Sequence, residues 1–519
     1  MKKYSALLLL VLFLCPAFVR ADVSLFLHEA IGVSGEETAA GHASIYFSNV
    51  CADGPVRLRM CHPGETGVVI TAYPEMGADK NYEWLAIPLL SYLYGVENER
   101  NIPLYTNGRI RMLLRETYRR NHLRSIVADL PDGAMPLGRW KEVIGTVFNR
   151  DIYAFTLKTT AAEDAAFLEK FNLRPNQSRW QTLYHNCADF AREVLNLYFP
   201  HAARRDVLND FTMTTPKAIA KSLTRYATHR PERLFYMTKY SQLSGPIRRS
   251  LDNRKFSEMA IRSKKYLIPQ IILKQSLLAI FATSYYTTGY FNAPQQYKKY
   301  GSPEIAELNL AESQLKKQPR GQERVLDKYR VNFVEDDTSH PANPAELASK
   351  KEATRIRLFG TRQTWEKYRA EFAPQLQKAI AQGFFADARE VTTFFKDLEL
   401  QSETALDENG QLLLKVKAYG KDLRLGLTRD NILSSQSSPQ LAYKLMLVKI
   451  NTELNAREKN RESLDVFEDD WTLLNQLATR CAETAAADQP DPTRPRFLEK
   501  PEVTTFQQKF KKFFVLITH

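Results

Sequence analysis

Between residues 23 and 75, apolar and polar side chains alternate over short runs. In "HASIYF" (42–47), Ala43, Ile45 and Phe47 point one way and His42, Ser44 and Tyr46 the other, the period of a strand. "VRLRM" (56–60) and "GVVITAY" (67–73) predict two more short strands between turn residues. The period then lengthens. "GRIRMLLRETYRRNHLRSIVADL" (108–130) carries apolar residues at helical spacing. "RDIYAFTLKTT" (150–160) reads as a strand, and "AAEDAAFLEKFNL" (161–173) as a helix. "TTPKAIAKSL" (214–223) opens with Thr-Thr-Pro, a good helix N-terminus.

From about residue 230 the pattern is mostly helical and highly charged. "YLIPQIILKQSLLAIFATSYYTTGYF" (266–291) is very apolar, but Pro269, Lys274 and Gln275 interrupt it. A membrane span needs roughly 20 apolar residues, so a buried helix or one lying on a membrane surface fits better. "DDTSHPANPAE" (336–346) reads as a linker, and "GQLLLKVKAYGKDLRLGLT" (410–428) as a hairpin turning near Gly420. Residues 488–519 are Pro-rich, then basic and apolar, a tail able to dock on protein or lipid. The expected organisation is an α+β domain over 22–229, a helical region over 230–335, the linker, a helical region with the hairpin over 347–487, and the tail.

Residues 1–21 stand apart. Lys2 and Lys3, an apolar run and small residues ending at Ala21 predict a secretory signal peptide, with lipidation at Cys15 as a minor alternative. The expected location is therefore exported, periplasmic or envelope-associated. With 519 residues, 44% hydrophobic and 25% charged, the chain has the balance of a globular protein. Removing the leader takes Lys2, Lys3 and Arg20, which lowers the +13 net charge to about +10. That charge suits acidic envelope polymers or anionic lipid, or a mixed solvated surface. An exported chain does not meet nucleic acid, and none is expected as a partner.

Cys51, Cys61, Cys187 and Cys481 remain after cleavage, in a compartment that permits disulfides. Cys51 and Cys61 flank "ADGPVRLRM", whose turn suits a local bridge closing a hairpin-like loop. Cys187 and Cys481 are then free or paired with each other. No CxxC occurs, and "CH" at Cys61–His62 is too little for zinc, so neither metal nor cofactor is expected.

The candidate chemistry lies in "QTLYHNCADFAREVLNLYF" (181–199). Asn186 is a natural N-cap, which puts Cys187 in the first helical turn on the apolar face with Phe190 and Val194. Free N–H groups and the helix dipole there are expected to lower the thiol pKa. The best imidazole is His42, which follows Gly41 and opens a strand. Tyr184 and His185 precede Cys187 and are candidate site-lining residues with Asn186 and Gly41. His62, Thr71 and Glu75 lie near the candidate strands, and the residue that orients the imidazole is not assigned among them. His28, His122 and His201 read as surface or core residues, and Glu36–Glu37 as a solvated loop tip. A core thiol, or a bridge to Cys481, is the alternative for Cys187.

The stretches "GHASIYF", "YHNCADFAREVL" and "TTPKAIA" together resemble the circularly permuted NlpC-type, papain-like superfamily, to which lecithin:retinol acyltransferase-like proteins belong. Within it, the nearest likeness is to the N-terminal periplasmic domain of the Lnb-type lipoprotein N-acyltransferases. The resemblance covers about residues 23–225. It implies an antiparallel sheet with packed helices, Cys187 as nucleophile, His42 as general base, and helix-start N–H groups as an oxyanion hole. It implies a cysteine hydrolase or acyltransferase acting through a thioester on an amide or ester of a lipoprotein, a lipid or a cell-wall (peptidoglycan) peptide. The Lnb-type enzymes continue into several membrane spans, and residues 230–519 carry no such series. The alternative is a non-enzymatic envelope binding or scaffold protein that keeps the fold and uses its basic helical region to hold a partner or a membrane surface.

Overall fold

The computed structural model describes residues 21–487 other than 32–39, 78–81, 132–133, 211–212, 246, 248, 263–266, 268–270, 272–274, 302–361, 386, 388–389, 392–393, 395–401, 419–420, 434–437 and 461–466. The expected leader (1–20), linker and tail (488–519) lie outside the described residues. The chain divides into two compact units. One is built from residues 1–97, 115–242 and 249–320, the other from 98–114, 243–248 and 321–519.

The first unit is α+β. Its strands are β1 (Ala21–His28), β2 (His42–Phe47), β3 (Val50–Ala52), β4 (Leu58–Met60), β5 (Val68–Ala72), β6 (Trp84–Pro88), β7 (Ile152–Thr159) and β8 (Phe235–Tyr240). Six of them form one sheet in the order β6-β5-β2-β1-β7-β8, every neighbouring pair antiparallel. β1 is central and pairs along its length with both β2 and β7. Ala21, expected to end the leader, is its first residue. β3 and β4 pair beside the sheet, and the expected Cys51–Cys61 disulfide joins the ends of that small ladder.

The described helices of this unit include α1 (Leu89–Tyr94), the last four residues of α2 (Gly108–Tyr118), α3 (Ala161–Phe171), α4 (Cys187–Tyr198), α5 (Val207–Asp210), α6 (Pro216–Thr228), α7 (Phe256–Arg262), α8 (Gln275–Ser284) and α9 (Ala293–Tyr300). Their starts follow local chemistry. Thr160 and Glu163 form a reciprocal capping box on α3, and Thr215 caps α6 ahead of Pro216. The alternation read from "HASIYF" holds. Ala43, Ile45 and Phe47 enter the core that buries Ala188, Ala191 and Val194 of α4. Phe26, His28 and Ser44 lie on the other face, with Tyr92 of α1 against them.

The domain end expected at residue 229 differs from the structure. β8 lies beyond it and pairs with β7 from Ile152↔Tyr240 to Leu157↔Phe235, which completes the sheet. The polar Thr238, Lys239 and Tyr240 mask its apolar alternation.

The second unit holds β9 (Ser402–Leu406), β10 (Leu412–Ala418) and β11 (Lys421–Gly426) in a three-stranded antiparallel sheet, with α10 (Arg362–Ala381), α11 (Arg429–Ile432), α12 (Pro439–Asn460) and α13 (Phe467–Ala487). The expected hairpin is β10–β11, and β9 adds a strand to it; the turn at Gly420 lies outside the described residues. α12 packs on α13, where Lys449 pairs with Asp470. Among the described residues, no helix is long and apolar enough to cross a membrane.

The disulfide closes a short loop, with a sequence separation of 10. A loop of that length restricts the unfolded chain by about 2–3 kcal/mol. Replacing both Cys51 and Cys61 with Ala should lower the urea midpoint of the first unit's transition accordingly, and reductant should do the same to the native protein. An unchanged midpoint in both cases would show that the bridge does not constrain the unfolded state.

Candidate active site

Asn186 determines where α4 begins. Its side-chain oxygen accepts from the N–H groups of Ala188 (2.8 Å) and Asp189 (3.1 Å). Its amide donates to the carbonyls of Thr182 and Thr214, each at 3.0 Å. The cap is thus fixed from both sides, and the next residue, Cys187, must be the first of the helix. Asp189, one turn in and buried, accepts from Thr214 Oγ1 (2.6 Å) and from Arg205 (2.7 Å). Its charge lies at the positive end of the helix, where it is stabilised.

His42 is set by the turn before it. Gly41 has φ +73°, and a Cβ there would lie 2.3 Å from the His28 carbonyl oxygen. Asn253 locks the turn by donating to the carbonyls of His28 (2.6 Å) and Ala40 (2.9 Å). Only glycine fits that backbone without strain. The His42 Nε2 is 2.5 Å from Thr71 Oγ1, and Thr71 donates its one hydroxyl proton to the Ala43 carbonyl (3.2 Å). The hydroxyl must therefore accept from Nε2–H, which leaves Nδ1 as the basic nitrogen. Tyr73 stacks on the ring at 4.0 Å between centroids and 13° between planes. Of the three residues considered as imidazole partners, the structure brings Thr71 to His42; His62 is exposed and bonds through its backbone to Glu65, and Glu75 sits in a left-handed turn.

The sulfur of Cys187 reaches the same end of β2. The backbone N–H groups of Ala43, the residue after His42, and of Ala188 donate toward it. The hydrogen bond that the His42 ring makes is to Thr71, not to the sulfur. Cys187 and Cys481 are both free thiols, so the alternative bridge between them is not formed. Tyr184 is exposed and His185 partly so, both in the loop ahead of Cys187. His185 and Asn186 line a small cleft with Glu83 and Trp180.

Two residues that sequence reading passed over complete the site. His28, read as surface or core, lies directly across the β1–β2 ladder from His42, with ring centroids 5.4 Å apart. It is fully buried, and its Nε2 meets Ser44 Oγ (2.9 Å) and Tyr92 Oη (3.1 Å). The second is Arg150, a buried guanidinium whose Nη2 donates to Tyr73 Oη (3.2 Å) and lies 3.9 Å from Glu142. The β1–β2 register would have pointed to His28, since the strand "ADVSLFLH" ends on it. Nothing in the local sequence marks Arg150.

These neighbours decide the charges. Burial, and then the Arg150 charge, hold both imidazoles well below their ordinary pKa, so His28 and His42 are neutral. Burial also pushes the Cys187 thiol up to about 11, against the pull of the two N–H groups and Arg150. This corrects the expected lowered thiol pKa: the helix start is present, but desolvation outweighs it. At rest Cys187 is a thiol and His42 a neutral imidazole.

No family model, curated protein or solved structure matches the chain.

Two outcomes follow from the charges. Alkylation of Cys187 by iodoacetamide, read by peptide mass spectrometry, should be slow at pH 7 and climb toward pH 11. A plateau reached near pH 6–7 would instead reveal a preformed thiolate–imidazolium pair. The second outcome concerns stability. The unfolded chain protonates its histidines near pH 6.5, whereas the folded chain resists to much lower pH. The histidine contribution is complete above pH 6.5 and is lost as pH falls below it. Each ring should add about 1.4 kcal/mol per pH unit to that acid loss, so His42→Gln should flatten the pH dependence of the urea midpoint below 6.5. An unaltered slope would mean that the ring titrates freely in the folded state.

Proposed function

We propose that the first unit is a permuted papain-like thiol enzyme, a hydrolase or acyltransferase, acting on an amide or ester of a cell-envelope substrate in an exported protein. The observation that carries this reading is the meeting, at the start of β2, of a capped helix-start cysteine and the backbone N–H of Ala43, next to His42, with the imidazole held by Thr71 through Nε2.

In the reaction, the Cys187 sulfur forms a bond to the substrate carbonyl carbon. The thiol proton passes to His42 Nδ1 and then to the leaving amine or alcohol as the old C–N or C–O bond breaks. Water or an amine attacks the resulting thioester, His42 takes its proton, and that proton returns to the sulfur. Both groups start neutral, so charge develops only during attack. The Arg150 guanidinium favours the thiolate and opposes the imidazolium. The family likeness implies helix-start N–H groups as the oxyanion hole, although the Ala188 N–H is engaged by the Asn186 cap at rest. The envelope substrate classes are those of the family likeness, a lipoprotein, a lipid or a cell-wall peptide.

A second reading has its own support. Cys187 is 8% exposed, His42 is 3% exposed, and the ring is engaged by Thr71. A protein that retained the fold for envelope binding or scaffolding, without turnover, would look the same.

Incubation with p-nitrophenyl butyrate separates the two. The enzyme should gain one butyryl group, removable by hydroxylamine and mapped to Cys187. Cys187→Ala should gain none, and His42→Gln should acylate at least about 100-fold more slowly. Absence of any adduct on Cys187 across pH 6–10 would leave the binding reading standing.

A further inference from the structure

We propose that the face formed by α5, α7 and α8 docks the protein on an anionic lipid bilayer. α8, "QSLLAIFATS", contains no charged residue, yet Phe281 is the one side chain that it buries. An apolar helix in a folded domain normally spends its side chains on the core. Here Leu277 (41% exposed) and Ile280 (55%) face solvent instead, as does Tyr286 (74%) just beyond the helix.

Neighbouring elements extend the same surface. Ser284, the last residue of α8, donates to the Leu208 carbonyl (2.8 Å), and the Phe281 ring lies 5.9 Å from that of Phe256 on α7. Val207 and Leu208 are 65% and 68% exposed, and Phe256 38%. Contiguous exposed apolar side chains of this size mark an interaction site.

The surrounding charge selects the occupant. The acidic groups of these elements are engaged inward: Asp206 with Lys255 (2.5 Å), and Glu258 with Lys217 (2.7 Å) and Arg262 (2.8 Å). Asp210 is buried and accepts from Thr215 (2.7 Å). The exposed charges beside the apolar residues include Arg204 and Arg205 ahead of α5 and Arg262 at the end of α7, with the exposed Asp252 ahead of Phe256; Arg205 is paired with Asp189 and Arg262 with Glu258, while the Arg204 side chain bonds the His201 carbonyl and keeps its charge at the surface. Apolar side chains with a tyrosine and an arginine rim match the boundary between acyl chains and anionic headgroups. The net charge, +13 for the full sequence and about +10 without residues 1–21, acts in the same direction.

The face is continuous with the candidate site. Arg205, two residues before Val207, bonds Asp189 in the first turn of α4 and the Tyr184 carbonyl (3.1 Å). A bilayer on this face would lie beside the helix start that carries Cys187. Docking does not depend on the catalytic reading, because none of these side chains takes part in the proposed chemistry.

The test is co-sedimentation of the mature full chain with vesicles of phosphatidylcholine alone or with phosphatidylglycerol added. Wild type and Cys187→Ala should bind the anionic vesicles equally, and binding should weaken about threefold or more as salt rises from low to physiological strength. The pair Ile280→Glu and Tyr286→Glu, made together at exposed positions, should bind at least about tenfold more weakly with an unchanged melting curve. Failure to sediment with either vesicle, or equal binding by the double variant, would overturn the proposal. So would a concentration-dependent dimer, seen by analytical ultracentrifugation and abolished by the double variant, since a second copy would then cover the face.

Discussion

The register of β1 against β2 is the constraint on which the site depends. It sets His28 opposite His42 and sends Ala43 to the face that α4 covers. Side chains alternate along a strand, so a slip of one residue would exchange the two faces, putting histidines in the apolar core and leucines beside Arg150. Both faces are buried, and such a slip would be costly throughout. Gly41 and Asn253 pin the register at its open end: the glycine permits the turn, and the asparagine ties both sides of it.

Given that register, burial governs the ionisation and the Arg150 charge adds to it. A buried guanidinium stays charged at any physiological pH. Two imidazoles held near it in a dry environment then remain neutral, and Glu142 is its nearby counter-charge. The same charge steadies a thiolate at Cys187, although burial keeps the proton on the sulfur at rest. At rest the sulfur keeps its proton and both imidazoles stay neutral.

Much of this was legible in the residues, and the failures have physical reasons. Strand and helix periods located β2, β5, β7 and the helices α3, α4 and α6, because local alternation and capping are local properties. Asn186 and Thr215 announced their helices for the same reason. β8 was hidden, since "FYMTKY" mixes polar residues into a strand that packs at the sheet border. Thr71 was one of three equal candidates until folding closed the 29 residues between it and His42. The sign of the Cys187 pKa was misjudged because the helix start is written in the sequence and the depth of burial is not. Arg150 and His28 escaped for a related reason: their importance lies in what surrounds them.

The central position of β1 has a consequence for synthesis. The first strand to be made occupies the middle of the sheet, and its β7 partner, from Ile152 to Thr159, comes late in the domain. At roughly 5–20 residues per second, one side of β1 stays bare for on the order of ten seconds after it emerges. For that interval it is an apolar edge with unpaired backbone groups, open to wrong partners. A chain so built cannot close its core early.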